Sequence, residues 1–177
     1  ANKIAKTQNQ ISGDPYVRVR DLHKSFSGKE VLKGVSLDVP RRKITVIIGG
    51  SGSGKSVLLK NILGLFVPDS GSVNVNGLEL TQCTERQREE MRTHIGMLFQ
   101  GAALFDSMTV EENVGFPLRE RRNRVPEPEV RERVAEMLER LKISAIAKAY
   151  PSSISAGQRK RVGLARAIIT RPELMIY

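Results

Sequence analysis

The chain has 177 residues and a mass of 19.7 kDa, with 40% hydrophobic and 27% charged residues. These proportions are typical of a globular domain and argue against a disordered or collagen-like chain. No apolar run reaches the roughly 18 residues of a membrane-spanning helix. The first fifteen residues lack the apolar core of a signal peptide, and the single cysteine, Cys83, excludes an internal disulfide. We therefore expect a soluble, cytoplasmic protein.

The net charge of +10 is unevenly distributed along the chain. Residues 1–60 hold twelve basic and four acidic side chains, and residues 158–171 hold five basic and none acidic. Residues 61–118 reverse the balance, with three basic and eight acidic side chains. A strongly basic chain can bind nucleic acid or a membrane surface. Because each basic region adjoins a glycine-bearing loop rather than forming a uniform face, we expect no nucleic-acid partner.

The N-terminal half is predicted to be rich in strands. Residues 1–14 have the character of a tail, and alternation at 17–19 and 35–39 predicts the first strands. The β-branched run at residues 44–48 predicts a strand that is buried on both faces.

Further elements alternate between helix and strand. An apolar segment over residues 56–66 predicts a buried helix, and an alternating segment at 72–76 ends at an Asn-Gly turn that is typical of a hairpin. A polar helix over residues 85–92 is predicted to precede another buried strand at 95–99.

The C-terminal half is predicted to be helical. Thr109 and Glu112 have the spacing of a capping box that opens a helix. A second helix follows two prolines and carries apolar residues at helical spacing, namely Val130, Val134, Met137, Leu138 and Leu141. A third helix is predicted from Ser155 to about residue 170, and residues 174–177 begin a strand.

Residues 49–56, Gly-Gly-Ser-Gly-Ser-Gly-Lys-Ser, match the phosphate-binding loop G-x4-G-K-[ST] between a predicted strand and a predicted helix. Glycines let successive backbone N–H groups point at phosphate oxygens, and the helix adds its positive end. Lys55 is placed to reach the β- and γ-phosphates, and the Ser56 hydroxyl to bind Mg²⁺. The alternative is a glycine-serine turn that caps a helix and binds no ligand. The motif alone does not distinguish a kinase, a GTPase, a transporter ATPase or a DNA-repair ATPase.

A second candidate anion site lies about a hundred residues later. Residues 154–158, Ile-Ser-Ala-Gly-Gln, precede three cations at 159–161 at the start of a predicted helix. A serine cap, a small turn and the helix dipole together favour an anion. The alternative is an ordinary S-x-x-Q capping box beside a solvated basic face.

With these two motifs the chain resembles the ATP-binding-cassette ATPases, whose signature is LSGGQ followed by a basic run. The resemblance extends from Tyr16 to Tyr177. The resemblance implies that the signature of one subunit closes over the γ-phosphate held by another, in a homodimer with composite sites. This chain has Ile154 for leucine and Ala156 for glycine. The first change is conservative, whereas the second places a methyl group near the phosphate and is expected to weaken closure.

The resemblance also assigns individual residues. Gln100 matches the Q-loop glutamine, which touches Mg²⁺ and the attacking water, and Phe26 matches the aromatic that stacks on adenine. The alternatives are a glutamine that satisfies a turn and an ordinary core or surface phenylalanine. The implied ATP contacts are Phe26, Gly50, Ser51, Gly52, Ser53, Gly54, Lys55, Ser56 and Val57, with Ser155, Ala156, Gly157 and Gln158 in trans. Ser56 and Gln100 are the implied Mg²⁺ ligands.

The implied fold is α/β: a P-loop NTPase with a RecA-like core, an N-terminal antiparallel β arm and an ABC-type α-helical subdomain. The implied segments are a tail (1–14), the core with its arm (15–100), the helical subdomain with the signature (101–171) and the start of the Walker B strand (172–177). The family pattern continues after that strand with an aspartate and a glutamate, which do not follow here. We therefore expect this chain alone not to turn over ATP, and its incomplete core sheet to leave open edges that favour aggregation.

Residues 97–109 and 116–120 resemble the ATPases of MCE/Mla-type lipid transporters more than those of amino-acid importers. This resemblance implies phospholipid transport, a transmembrane permease partner and a peripheral location on the cytoplasmic face of a bacterial inner membrane. The alternatives are the ATPase of another importer or exporter, for amino acids or lipoproteins, a soluble non-transport cassette protein, or a nucleotide-binding module without turnover.

Overall fold

The computed structural model describes residues 13–120 and 125–177. The chain divides into two compact units, Ala1–Arg92 and Thr93–Tyr177. These two units are defined by geometry alone, and the functional segments that the sequence implies stay predictions. Most of the predicted tail (residues 1–14) lies outside the described residues. Within the described ranges, no helix combines the length and apolar content that a membrane span requires.

The first unit contains a four-stranded antiparallel sheet with the order β2-β1-β3-β4. Its strands are β1 (Val17–Phe26), β2 (Lys29–Val39), β3 (Ser70–Val75) and β4 (Leu78–Glu79). Alternate side chains of the central strands, such as Val17, Val19 and Val73, are completely buried on one face. The hairpin predicted at Asn76-Gly77 is confirmed, and both of its turn residues have positive φ (50° and 88°), which matches the twist of the flanking strands.

Two helices complete this unit, α1 (Lys55–Ile62) and α2 (Glu85–Thr93). The polar helix predicted at 85–92 is confirmed. Helix α1 ends earlier than predicted because Gly64 adopts a φ of 65° just after its cap. The Gly64 N–H donates to Asn61 O (2.9 Å) and the Leu65 N–H to Lys60 O (2.8 Å), which is a Schellman ending. Leu65, predicted within a buried helix, is therefore exposed.

The prediction of a buried strand at residues 44–48 is wrong. This segment adopts no regular secondary structure, and Ile44, Val46 and Ile48 are 79%, 72% and 84% exposed. A β-branched composition expresses a side-chain preference, whereas a strand forms only where a neighbouring strand completes its backbone hydrogen bonds. Among the described residues neither sheet includes this segment. Its apolar side chains consequently remain exposed.

The second unit combines a short parallel strand pair with helices. Its elements are β5 (Ile95–Met97), α3 (Val110–Arg119), α4 (Glu127–Arg140), α5 (Ala156–Ile168) and β6 (Leu174–Ile176), with 3₁₀ turns at Ser144–Ile146 and Pro151–Ser153. The strand predicted at 174–177 is confirmed. The buried strand predicted at 95–99 is shorter and only half-buried, and Phe99 is exposed. The reason is that β5 pairs with one strand, β6, in the part of the chain that the structure describes.

The three helices enclose one apolar core. Thr109 caps α3 by the predicted box: its hydroxyl accepts the Glu112 N–H, and the Glu112 carboxylate accepts the Thr109 N–H at 2.7 Å. Helix α4 begins at Glu127, so Pro128 lies inside its first turn, where a missing N–H costs no hydrogen bond. The core consists of Val110, Val114, Leu118, Val130, Val134, Leu138, Ile143, Ile154, Val162, Ala165 and Ile169.

Candidate nucleotide-binding site

The predicted phosphate loop, residues 49–56, turns directly into α1. Gly54 is the N-cap of this helix with a φ of 91°, and Gly52 has a φ of 75°. Both values lie in the left-handed region that side chains disfavour. A Cβ on Gly54 would also lie 2.9 Å from Leu32 Cδ2 of β2, and a Cβ on Gly49 would lie 2.5 Å from Ser53 Oγ. Local backbone geometry and close packing therefore both require glycine in this loop.

The outer side of the loop is open. A Cβ on Gly50 or Gly52 would meet no atom within 4 Å. As the N-cap, Gly54 has no side-chain acceptor to offer the first N–H groups of α1. Helix N-termini with such donors and their positive dipole are suited to phosphate. This part of the loop is a cradle with room for an anion.

Lys55 crosses the loop from the first position of α1. Its ammonium donates to Gly49 O at 2.6 Å and to Gly50 O at 2.8 Å, and Ser53 Oγ lies 3.5 Å away. Carbonyl oxygens thus hold the cation at the mouth of the cradle, where phosphate oxygens would be stronger acceptors. The neighbouring Ser56 is exposed and offers a hydroxyl oxygen, the donor type that Mg²⁺ prefers.

Phe26 lies at the end of β1 and is partly exposed. Its ring meets the edge of Phe66 at 5.3 Å between centroids, and the Lys24 ammonium lies 5.6 Å from the ring centroid. The Lys24 ammonium is held in turn by Asp69 at 2.7 Å, and the pKa of Asp69 is lowered chiefly by this hydrogen bond. The exposed part of the ring is a flat aromatic surface of the kind on which a base stacks.

Gln100 begins the segment between β5 and α3, in the second unit. It lies in an exposed turn, two residues beyond Leu98, whose N–H donates to Ile176 O at 2.8 Å. The strand pair β5–β6 therefore fixes the start of this segment beside the predicted Walker B strand. We refer to residues 100–109 as the Q segment.

The predicted signature forms the start of α5. Ser155 is the N-cap, its hydroxyl accepts the Gln158 N–H at 3.2 Å, and Gln158 Oε1 accepts the Ser155 N–H at 2.8 Å. Ala156 and Gly157 are exposed in the first turn, and a Cβ on Gly157 would meet nothing within 4 Å. The geometry is that of the capping box that the sequence allowed, with an open first turn on its outer face.

The neighbours of the signature have structural roles that the sequence did not reveal. Ile154, the departure from leucine, is a buried member of the helical core. Arg159, expected among three cations facing an anion, turns back and donates to Ile154 O at 2.6 Å. Lys160 and Arg161 are exposed.

Two further residues organise the Q segment, and sequence reasoning missed both. Asn113 is completely buried in α3 and donates from Nδ2 to the carbonyls of Phe105, Met108 and Thr109 at 3.0–3.1 Å. Its Oδ1 accepts the Phe105 N–H at 2.8 Å. Arg166 of α5 donates to the carbonyls of Ala102 and Ala103. The available signal was an asparagine on the apolar face of α3, between Val110 and Val114.

The comparisons with known proteins identify the family. The sequence profile of the ABC transporter family matches residues 32–177. The chain belongs to the ABC transporter family. Two solved structures share its fold. The protein cbiO1 from Clostridium perfringens, part of the ABC transporter complex cbiONQ, is 30% identical with a TM-score of 0.81, over 92% of this chain and 64% of its own. A dimeric ATP-binding cassette in a post-hydrolysis state, bound to ADP and phosphate, is 30% identical with a TM-score of 0.77, over 90% and 72%. The P-loop NTPase fold predicted from the sequence is thereby confirmed.

Sequence relatives are ATP-binding proteins of transporters. A probable ribonucleotide transport ATP-binding protein of Mycobacterium leprae is 40% identical over 90% of this chain and 46% of its own length. A methionine import ATP-binding protein of Mesorhizobium japonicum is 42% identical over 90% and 43%. The chain thus spans about half the length of the curated relatives it matches. As a member of this family it is an ATP-binding domain of the transporter type.

Proposed function

We propose that this chain is the nucleotide-binding part of an ATPase that drives phospholipid transport in a bacterial envelope. The single observation that carries the nucleotide proposal is the phosphate loop. Its cradle is open at Gly50 and Gly52, it precedes the N-terminus of α1, and Lys55 lies at its mouth.

The proposed ligands are ATP and Mg²⁺, and the phosphate loop described above has donors and a hydroxyl oxygen that suit them. The exposed face of Phe26 would stack on adenine, and Ser56 with Gln100 would bind the metal ion. The phosphate contacts would come from Gly50, Ser51, Gly52, Ser53, Gly54, Lys55, Ser56 and Val57. Bound Mg²⁺ would neutralise charge on the phosphates, which is the main demand of phosphoryl transfer. In the complete protein Gln100 would hold the attacking water.

The proposed partners are a second copy of the subunit and a transmembrane permease. Ser155, Ala156, Gly157 and Gln158 would contact the γ-phosphate of the second copy, because the first turn of α5 is exposed and its dipole favours an anion. Two solved relatives support this assembly: one is a dimeric ATP-binding cassette, and the other is part of an ABC transporter complex. The subunit would then lie peripherally on the cytoplasmic face of the inner membrane.

The phospholipid proposal rests on the resemblance of residues 97–109 and 116–120 to MCE/Mla-type ATPases. Two relatives at about equal identity are named for ribonucleotide transport and for methionine import, so overall identity does not select the transported molecule. Purification of the native protein with its permease, followed by transport assays in proteoliposomes, tests the proposal. ATP-dependent movement of labelled phospholipid is expected. Movement of methionine or a ribonucleotide instead would overturn the lipid assignment but would still support a role in transport.

Nucleotide binding is tested with Lys55→Met in the full-length protein. Loss of charge-assisted hydrogen bonds of about 1.5–3 kcal/mol should weaken MgATP binding about 10- to 100-fold, measured by isothermal titration calorimetry. Lys60→Met is the matched control, because Lys60 is an exposed lysine of the same helix whose ammonium lies 5.1 Å from the centroid of the Phe66 ring. Equal affinity of Lys55→Met and the control would contradict the proposed site.

Two rival functions give different results in the same preparation. A nucleotide-binding module without turnover would bind MgATP, while the full-length protein with its permease would release no phosphate. A soluble non-transport cassette protein would copurify with no membrane subunit and would bind nucleic acid in a salt-sensitive manner.

A further inference from the structure

The Q segment has a strained backbone immediately after Gln100. Ala102 and Ala103 have φ values of 61° and 46°, which are rare for residues with a side chain. Ala102 is buried and Ala103 is exposed. Two consecutive left-handed alanines persist only where surrounding contacts stabilise them.

Arg166 of α5 supplies these contacts. Its Nη2 donates to Ala102 O at 2.7 Å and its Nη1 to Ala103 O at 2.8 Å. The guanidinium also lies 5.6 Å from the Phe105 ring centroid. A planar fork of two N–H donors matches two adjacent carbonyls, whereas a lysine ammonium is a compact point charge without this fixed fork. Burial lowers the pKa of Arg166, and no carboxylate pairs with it among the described residues.

Close packing adds to the hydrogen bonds. Gly163 lies one turn before Arg166, and a Cβ there would lie 2.9 Å from Ala102 Cβ and 3.2 Å from Leu98 Cδ1. The same face of α5 therefore contacts the end of the β5 strand and the strained alanines. The far end of the Q segment is held separately by Asn113 and by the contact of Phe105 with Phe116, whose ring centroids are 4.7 Å apart.

We propose that Arg166 is a positioning residue that fastens the backbone after Gln100 to α5, so that the orientation of Gln100 follows the helix that begins at Ser155. This inference rests on the proposed function. It links Gln100, which would bind the metal ion and the attacking water, to the signature at the start of α5, which would contact the nucleotide of the second copy. Movement of α5 when the dimer closes would then carry Gln100 with it.

The test compares Arg166→Lys and Arg166→Gln with Arg140→Gln, an exposed arginine at the end of α4, in the full-length protein. Amide hydrogen exchange without nucleotide should accelerate about tenfold or more at residues 101–105 in both Arg166 variants, while residues 110–119 keep their protection. With the permease present, kcat should fall about tenfold or more with the KM for MgATP changed less than about twofold.

A merely structural role gives a different pattern. Loss of protection throughout α5 together with a lower unfolding temperature and a higher KM would overturn the positioning role, as would accelerated exchange with an unchanged kcat. Unchanged exchange at 101–105 would show that Arg166 does not fasten the segment. If the unmodified protein hydrolyses no ATP, the proposed function fails, and so does the role of Gln100 in ATP hydrolysis. The hydrogen-exchange result still decides whether Arg166 fastens the segment.

Discussion

The phosphate loop and the Q segment both contain left-handed backbone conformations, and different forces hold them. The phosphate loop in the first unit uses Gly52 and Gly54, which adopt positive φ at no steric cost. The Q segment in the second unit uses Ala102 and Ala103 at positive φ, with carbonyls held by Arg166. The first loop is defined by its own residues, and the second by residues about ten and sixty positions away. A motif search therefore finds the first and misses the anchors of the second.

The largest expected effect comes from adding a methyl group to the glycine-built loop. Gly54→Ala would place a Cβ 2.9 Å from Leu32 Cδ2 at a φ of 91°. Left-handed strain of about 1–2 kcal/mol and overpacking of about 1–3 kcal/mol should together lower the free energy of unfolding by about 2–5 kcal/mol. Urea unfolding of the full-length protein measures it.

Gly157→Ala is the matched control, because its φ is ordinary and a Cβ there meets open space. This variant should change the unfolding free energy by less than about 1 kcal/mol and in the stabilising direction, since alanine is the better helix former. Equal destabilisation by both substitutions would break the comparison between the loops.

Removing a buried anchor of the Q segment should have the next largest effect. Asn113→Ala leaves the Phe105 N–H and the Met108 carbonyl without their partner. The carbonyls of Phe105 and Thr109 lose one of two donors, because each still accepts a backbone N–H. The expected loss is about 2–3 kcal/mol, because each unsatisfied buried group costs about 1–3 kcal/mol and these two are only partly buried. Thermal unfolding measures it, with Gln82→Ala, an exposed amide in the first unit, as the control. A loss under about 1 kcal/mol would mean that water replaces Asn113.

A glycine placed in the strained segment should act in the opposite direction. Ala103→Gly relieves the left-handed strain at an exposed residue with a φ of 46°. The expected change is a stabilisation of up to about 1 kcal/mol, reduced by the greater entropy of the unfolded chain. The same substitution at Ala147, which has an ordinary helical conformation, should destabilise. Destabilisation at both positions would contradict the strain.

The smallest effect is a pH dependence of the second unit. The Thr109 backbone N–H and then its hydroxyl lower the pKa of Glu112 below the ordinary value of 4.5. A lowered pKa stabilises the folded state above pH 4.5, and this contribution is lost as the pH falls through the folded-state pKa. Glu112→Gln should therefore flatten the acid limb of the stability curve below about pH 5, measured as urea midpoints. Glu136→Gln, on the exposed face of α4, should leave that limb steep.

Much of the molecule could be predicted from local sequence. The hairpin at Asn76-Gly77, the capping box at Thr109 and the helix after residue 126 follow from turn chemistry, side-chain capping and periodicity, which operate over a few residues. The phosphate loop belongs to the same class. The backbone of this loop has the geometry that the motif implies, and contact of its residues with a nucleotide stays a prediction.

Other features were decided by the tertiary structure. Residues 44–48 have the composition of a strand and remain unpaired, because pairing depends on a neighbour that composition does not specify. Arg159 and Arg166 look alike in the sequence of α5, yet one donates to the Ile154 carbonyl before the helix and the other holds the Q segment. The sequence by itself thus determined which segments are helical and which loops have the glycines and helix starts that a phosphate site would require. Only the tertiary structure decided which side chains hold those segments in place, because such contacts join residues that are distant along the chain.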